Sequence, residues 1–536
     1  MTHPSLLPWI IVIYFLGGLA AWASGRLGPR WPRSVALVVL LAQLGLMLVI
    51  WGGPVQPVEA AGGGAWLMLF RSPWIPQFGI SIIFGIDGIT LLLLLLSDLL
   101  GLVAVVASWN SIQKWVGFFH FNLLWCIAAF ASIFMALDLF LFYVSWEVML
   151  VPLYFLIAVW GYEERRVYAA IKFFIFTQVS GLLMLVSILG LYFVHGRAAG
   201  IFTFDYFELL STPIPEGTAF LLMLGFFAAF AVKLPVVPLH TWLPDAHTEG
   251  PTAASVILAG LVLKVGAYGF LRFLFPLFPG PALKLAPFAM TLGVVSILYG
   301  ASLCFAQRDA KRLVAYSSIS HMGFVLLGIF AWNQWSLQGT MMIMLAHGLS
   351  TGGLFVLVGD LSERIHTRDM NRMGGLWSSM PRMGAAGLVL ALASLGLPGL
   401  GNFVGEFLVL LGTYRVSVPL VSVATLGFVV ATVYSLWIIQ RVFHGPPAPG
   451  GGEHWKLYDT TAREGTVLFG MIAILLWLGL FPQAALNTSR GAFEELQKIS
   501  GISRKSPTSS QLAYQSLDAL LGAWRDLPGR TPPAEK

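Results

Sequence analysis

The sequence predicts an all-α polytopic membrane protein, and three observations carry that prediction. The 536 residues are 57% hydrophobic and only 10% charged, where a soluble chain carries about a quarter charged. Mean hydropathy is +0.80. Apolar runs of about 20 residues, the length that crosses a bilayer as a helix, recur along the whole chain. Two cysteines, Cys126 and Cys304, both sit in apolar runs. They build neither a disulfide framework nor a cysteine-ligated cluster. The basic pI of about 9.3 comes from scattered loop residues and gives no reason to expect a nucleic-acid partner; the expected surroundings are lipid.

In order, about fourteen spans are expected: 5–24, 35–53, 86–107, 115–136, 139–160, 169–194, 217–240, 252–275, 284–304, 313–332, 338–359, 381–411, 416–440 and 465–483. Ala21-Trp22-Ala23 resembles a signal-peptide cleavage site, but no Lys or Arg precedes Arg26. The first run is therefore expected to be retained as a helix. Residues 54–85 hold short apolar pieces punctuated by Gly and Pro, which read as an external loop with a hairpin. After about residue 484 the chain turns polar, with an amphipathic piece at "LAYQSLDALLGAW" expected to lie on a surface.

The basic residues orient this count. One side holds Arg26, Arg30, Arg33, Lys114, Arg165, Arg166, Arg308, Lys311, Arg312, Arg364, Arg368, Arg372, Arg382, Arg441, Lys456 and Arg463. The other has Arg71, Arg197, Arg272, Lys284 and Arg415, besides the tail. The positive-inside bias places the first side in the cytoplasm and both termini on the opposite side.

Titratable residues remain inside the spans: Glu147, Lys233, Lys264, His321, His347 and Glu406, with Asp98 in "LLLLLLSDLLGLVAVV". A charge at the bilayer centre costs about 2.5–3.5 kcal/mol even on insertion scales. One buried pair is readily explained as structural, and a lone histidine as a satisfied core residue. A series over several spans points instead to a path for protons, with imidazole titrating near neutrality. Asp98 reads as structural.

Pro235 and Pro238 interrupt the seventh span; Pro398, with Gly396, Gly399 and Gly401, interrupts the twelfth. Five is odd, so a second five-helix unit enters the membrane inverted. Spans 4–8 and 9–13 are then two inverted five-helix repeats with broken helices 7 and 12. Matched breaks of this kind point to the transport site, and water in a cavity would meet the freed carbonyls. The expected domains are 1–112 (helices 1–3 and the external loop), 113–276 (first repeat), 277–443 (second repeat) and 444–536 (cytoplasmic loop, helix 14 and an extracytoplasmic tail). Lys233 at the first break would hold a proton, with Glu147 as the carboxylate that favours its charged form.

"PLHTWLPDAHTEGPTAASVILAGLVLKVGAYGFLRF" (238–273), "SWEVMLVPLYFLI", "QRDAKRLVAYSSISHMGF" and "LPGLGNFVGEFLVL" resemble the antiporter-like subunits of respiratory complex I and of Mrp antiporters. Residues 343–376 look like the M-type chain, the counterpart of mitochondrial ND-four. The resemblance covers about residues 80–445. It implies a proton-translocating membrane-arm subunit of an NADH:quinone oxidoreductase beside other antiporter-like subunits. It further implies Glu147 and Lys233 as an ion pair, Lys264 as the central relay, His321 and His347 on the axis, Glu406 at the exit, and Arg368 near the cytoplasmic surface with no role assigned. It implies no cofactor in this chain, with FMN, iron–sulfur clusters and quinone in partner subunits. The alternatives are a Na⁺/H⁺ Mrp subunit, the membrane arm of a hydrogenase, a non-transporting scaffold, and, more remotely, a metal at His240, Asp245 and His247.

Overall fold

The computed structural model describes residues 4–53, 58–59, 65–162, 164–446 and 457–502. The amphipathic piece at 512–524 therefore lies outside the described residues. Among the described residues, thirteen helices are long and apolar enough to cross a membrane. A fourteenth crossing is made by two half-helices, Pro381–Ser394 and Gly401–Tyr414. The expected all-α polytopic architecture is thus observed. We number the crossings as spans 1–14. Spans 8 and 11, Thr252–Leu277 and Gln334–Ile365, are wholly buried over their apolar windows and form the centre. Spans 1 and 2, Leu6–Leu27 and Arg30–Gly52, are the least buried, as lipid-facing helices are.

Several bounds differ from the expectation. Span 6 runs from Arg166 to Ala199, so Lys172 lies inside it. Span 7 begins as Glu216–Lys233, turns through residues 234–241, and resumes as Trp242–Glu249. Lys311 and Arg364, counted above with the loops, are buried at helix ends. The external loop does contain a hairpin: an eight-residue strand Met68–Ile75 pairs antiparallel with Ile80–Ile86, with a bulge between Pro73 and Ile75. Past span 14, Ala462–Leu480, an amphipathic helix Gln483–Ile499 packs on spans 3 and 11.

The two breaks are built alike. In span 7, Leu234 N–H donates to Phe230 O at 2.8 Å and Val236 N–H to Ala231 O at 2.9 Å, while the Trp242 indole caps Val232 O at 2.9 Å. In span 12, Gly396 N–H donates to Ala393 O and Leu397 N–H to Leu392 O, both at 3.1 Å. Both breaks close on a bond from residue i+5 back to i, the kind that commonly ends helices. Gly396 takes φ +77°, which glycine adopts without steric cost. The expectation that water meets the freed carbonyls is corrected here: protein groups meet those named.

Inverted correspondence shows at the loops as well. Asp138 N-caps span 5 through the amides of Phe140 and Leu141, and its backbone bridges Asp205 before span 7. Asp309 N-caps span 10 through Lys311 and Arg312, and its backbone bridges Asp369 before span 12. Ion pairs near the ends of the spans keep to one face each. Arg71–Asp205, Arg272–Asp87 and Lys284–Glu216 join loops 2–3, 6–7 and 8–9. Lys172–Asp245, Arg312–Asp245, Arg368–Asp309 and Arg364–Glu464 join the opposite face.

Asp459 fastens the loop before span 14 to the start of span 12. Its carboxylate accepts the amides of Arg382 at 3.0 Å and Met383 at 3.1 Å, two donors with no helical partner. Burial pulls the carboxyl up, but the amides of Arg382, Thr460 and Met383 outweigh it and hold it below the usual Asp value. Asp459→Ala is expected to cost about 1 kcal/mol, as other lost N-terminal caps do. A depressed carboxyl contributes stability above the unfolded value that is lost as pH falls through the folded one. The difference between wild type and variant in denaturation midpoint should therefore shrink below a pH of about 3.9.

Candidate functional site

Glu147 stands in span 5 just where that helix is irregular. Pro152 has no N–H to give Val148 O, and its ring crowds that carbonyl. The span accordingly divides into Leu139–Val148 and Leu150–Trp160. Glu147 is half-buried, with Tyr143 and Gln178 beside its carboxylate. Gly181 of span 6 makes room for it: a Cβ there would stand 2.3 Å from Glu147 Oε1.

Lys233 ends the first half of span 7 and is fully buried. Its Nζ has neither a hydrogen bond nor an ion pair among the described residues. Glu147 and Lys233 thus face one another electrostatically without the contact pair that the resemblance implies. Lys233 also lies against span 8, where a Cβ on Gly266 would stand 3.1 Å from its own.

Two residues before Gly266, Lys264 begins a row of buried titratable side chains. Residues Leu258–Val262 of span 8 form a π-helical turn, a feature that recurs at functional sites. Lys264 Nζ donates to Ala259 O in that turn at 2.7 Å and lies 2.9 Å from His347 Nδ1 of span 11. The rings of His347 and His321 stand 5.5 Å apart. His321 Nδ1, on span 10, lies 2.8 Å from Glu406 Oε1 on the second half of span 12, and its Nε2 lies 3.1 Å from Ser394 Oγ at the end of the first half. Glu406 Oε2 abuts the break itself, where a Cβ on Gly396 would stand 2.7 Å away. All four residues are at most 2% exposed. Four sequence-predicted residues are therefore brought into one row across spans 8, 11, 10 and 12. Glu147 and Lys233 form a separate group on its flank.

Among the described residues, His347 Nε2 and both ring nitrogens of His247 are buried without a hydrogen-bond partner. His247 stacks on Phe355 at 4.7 Å. Asp245 is committed to Lys172 at 2.6 Å, and His240 meets Tyr299 edge-on at 5.4 Å. Among the described residues no three His, Cys, Asp or Glu are grouped to hold a metal. Arg368 has a definite place: it donates to Thr248 O, pairs with Asp309 at 3.1 Å and covers the Tyr162 ring at 4.4 Å. Lys311 donates to Gly250 O beside it. Burial pushes the Tyr162 phenol up, against the opposing pull of the Arg368 charge. Asp98, fully buried, accepts from Tyr14 of span 1. Ser394 was missed because an isolated serine in an apolar run carries no signal. Trp146, next to Glu147, carried one: an aromatic beside a buried charge.

Residues 136–433 match the family model for the transmembrane part of NADH:quinone oxidoreductase/Mrp antiporter chains. The chain is 50% identical over 498 residues to NADH-quinone oxidoreductase subunit M of Escherichia coli strain K12, covering 92% of this chain and 98% of the relative. It is 51% identical over 503 residues to the Pseudomonas aeruginosa protein of the same name, again over 92% and 98%. A chain of respiratory complex I from Thermus thermophilus with bound NADH is similar at TM-score 0.80 and 33% identity, over 92% of this chain and 99% of that one. A chain of the Mrp complex from Dietzia sp. DQ12-45-1b shares the fold at TM-score 0.79 and 21% identity, over 92% and 98%. With half its residues shared along nearly its full length, the chain belongs to the NADH:quinone oxidoreductase/Mrp antiporter family and, within it, to the M-subunit branch.

Proposed function

We propose that this chain carries protons across the membrane as one antiporter-like subunit in the membrane arm of an H⁺-translocating NADH:quinone oxidoreductase. The observation that carries the reading is the row Lys264, His347, His321 and Glu406, linked at 2.9 Å and 2.8 Å at its ends with two imidazoles between. Each member binds and releases a proton at a nitrogen or oxygen; the two end links are short bonds, and the step between the imidazoles, whose rings stand 5.5 Å apart, needs a ring rotation or a bridging water. Glu147 and Lys233 act as the input. A carboxylate nearby favours the ammonium, and neutralising it favours release of the lysine proton toward span 8.

Sodium exchange is the less supported reading. Hard cations favour clustered oxygen ligands, and three of the four members of the row present nitrogen. Electron transfer through FMN, iron–sulfur clusters and quinone belongs to partner subunits. The matched breaks support a division into two inverted halves, 113–276 and 277–443, between the N-terminal helices 1–112 and the segment 444–536. The basic face lies in the cytoplasm of a bacterial inner membrane, and both termini lie on the periplasmic side.

The test uses Lys233→Ala and Glu147→Ala in the assembled complex, reconstituted into vesicles. Both are expected to assemble and to lose NADH-driven proton uptake by about tenfold or more, the scale of a barrier raised by about 1.4 kcal/mol. Wild-type uptake in both would contradict the reading. Uptake per assembled complex unchanged but assembly lost would favour a scaffold.

A further inference from the structure

The Lys233 ammonium, buried and without a hydrogen-bond partner among the described residues, lies against two aromatic rings. Its Nζ lies 5.1 Å from the ring centroid of Trp146 and 5.4 Å from that of Phe173. A desolvated cation at this range is attracted by the ring quadrupole. The rings are themselves fastened. Trp146 is fully buried between Phe142 and Phe230, each at 5.8 Å. Phe173 packs on Trp242 at 5.4 Å, and the Trp242 indole donates to Val232 O, the carbonyl just before Lys233.

Trp146 also adjoins Glu147 in the chain, so one stretch of span 5 carries both the ring and the carboxylate. Trp146 Nε1 and Glu147 Oε1 are buried without hydrogen-bond partners among the described residues. They converge beside Gly181, whose built Cβ would lie 3.4 Å from the first and 2.3 Å from the second. Glu147 of span 5 and Cys126 of span 4 are the titratable groups facing Lys233. Span 6 presents Phe173 and span 8 presents Gly266.

We propose that Trp146 and Phe173 are positioning residues that seat the Lys233 ammonium away from Glu147, giving the pair an open arrangement whose occupancy they set. The inference rests on the reading of Lys233 as a proton carrier. Opening breaks contact between ammonium and carboxylate; the rings replace that contact, and no proton moves onto them. Removing a ring weakens what holds the open ammonium, so Lys233 gives up its proton too early.

The experiment compares Trp146→Leu, Phe173→Leu, Trp146→Phe and Lys233→Ala in the intact complex in proteoliposomes. The readout is NADH-driven proton uptake as a function of pH. Either leucine variant should move the alkaline limb of uptake toward acid by about one pH unit. Trp146→Phe, which keeps a ring face, should return the profile to within about twofold of wild type. Phe173→Leu is the smaller change in volume and keeps the test decisive if Trp146→Leu fails to assemble. Unshifted profiles in the leucine variants, with uptake lost in Lys233→Ala, would overturn the seat alone. The seat also falls if an assembled Trp146→Phe fails as Trp146→Leu does. Wild-type uptake in Lys233→Ala would overturn the proton-carrier reading beneath it.

Discussion

Lys264→Arg should stop proton pumping while leaving the complex assembled. Lys264 is the member of the row whose Nζ joins span 8 to span 11, through Ala259 O at 2.7 Å and His347 Nδ1 at 2.9 Å. Alanine would break both contacts and leave two buried acceptors unmet, at about 1–3 kcal/mol each. Loss of activity in Lys264→Ala therefore mixes chemistry with stability. Arginine separates them. It keeps a cation and donors at the site but does not deprotonate in proteins. If the lysine only pins helices, arginine serves nearly as well. If it must release a proton, uptake falls by about tenfold or more at normal assembly, equivalent to at least about 1.4 kcal/mol on the barrier. NADH-driven proton uptake per assembled complex distinguishes the two.

Glu406→Gln is expected to have an effect of the same size for a different reason. Glutamine matches the volume of glutamate and still offers an oxygen to His321, so the 2.8 Å contact can survive. What goes is the negative charge that makes a protonated His321 tolerable in a buried site, where charge interactions are little screened. His321 then fails to take up the proton passed by His347, and the row is cut at its last link. Glu406→Asp keeps the charge one methylene shorter and should restore part of the flux. Equal uptake in Glu406→Gln and wild type would show that Glu406 acts by shape alone.

The spans were legible because lipid imposes a length and a composition that survive in any sequence of this kind. The breaks were legible because proline and glycine mark them chemically: Pro235, Pro238 and Pro398 lie in the connections that part the half-helices. The row was legible only as a set of costly residues. Hydropathy named Lys264, His347, His321 and Glu406, but not that they meet, since contact depends on how spans 8, 10, 11 and 12 rotate against one another.

Proline chemistry also misled in one respect. It announced the break in span 7 but not how its carbonyls are met, which the Trp242 indole and the amides of Leu234 and Val236 now show. Likewise, Lys311 and Arg364 looked like loop charges because they adjoin loops. They are buried because Gly250 O and Glu464 give them partners that lie far away in sequence.

On the proposed reading, protons cross through this row with water at its input. The most direct measurement is a map of the assembled complex sharp enough to place ordered water around Glu147, Lys233 and Lys264. The account predicts water within hydrogen-bonding distance of Lys233 Nζ, connected onward to Lys264 in at least one state. Lys233 enclosed in dry protein or facing lipid in every state, with no hydrated link to Lys264, would contradict it.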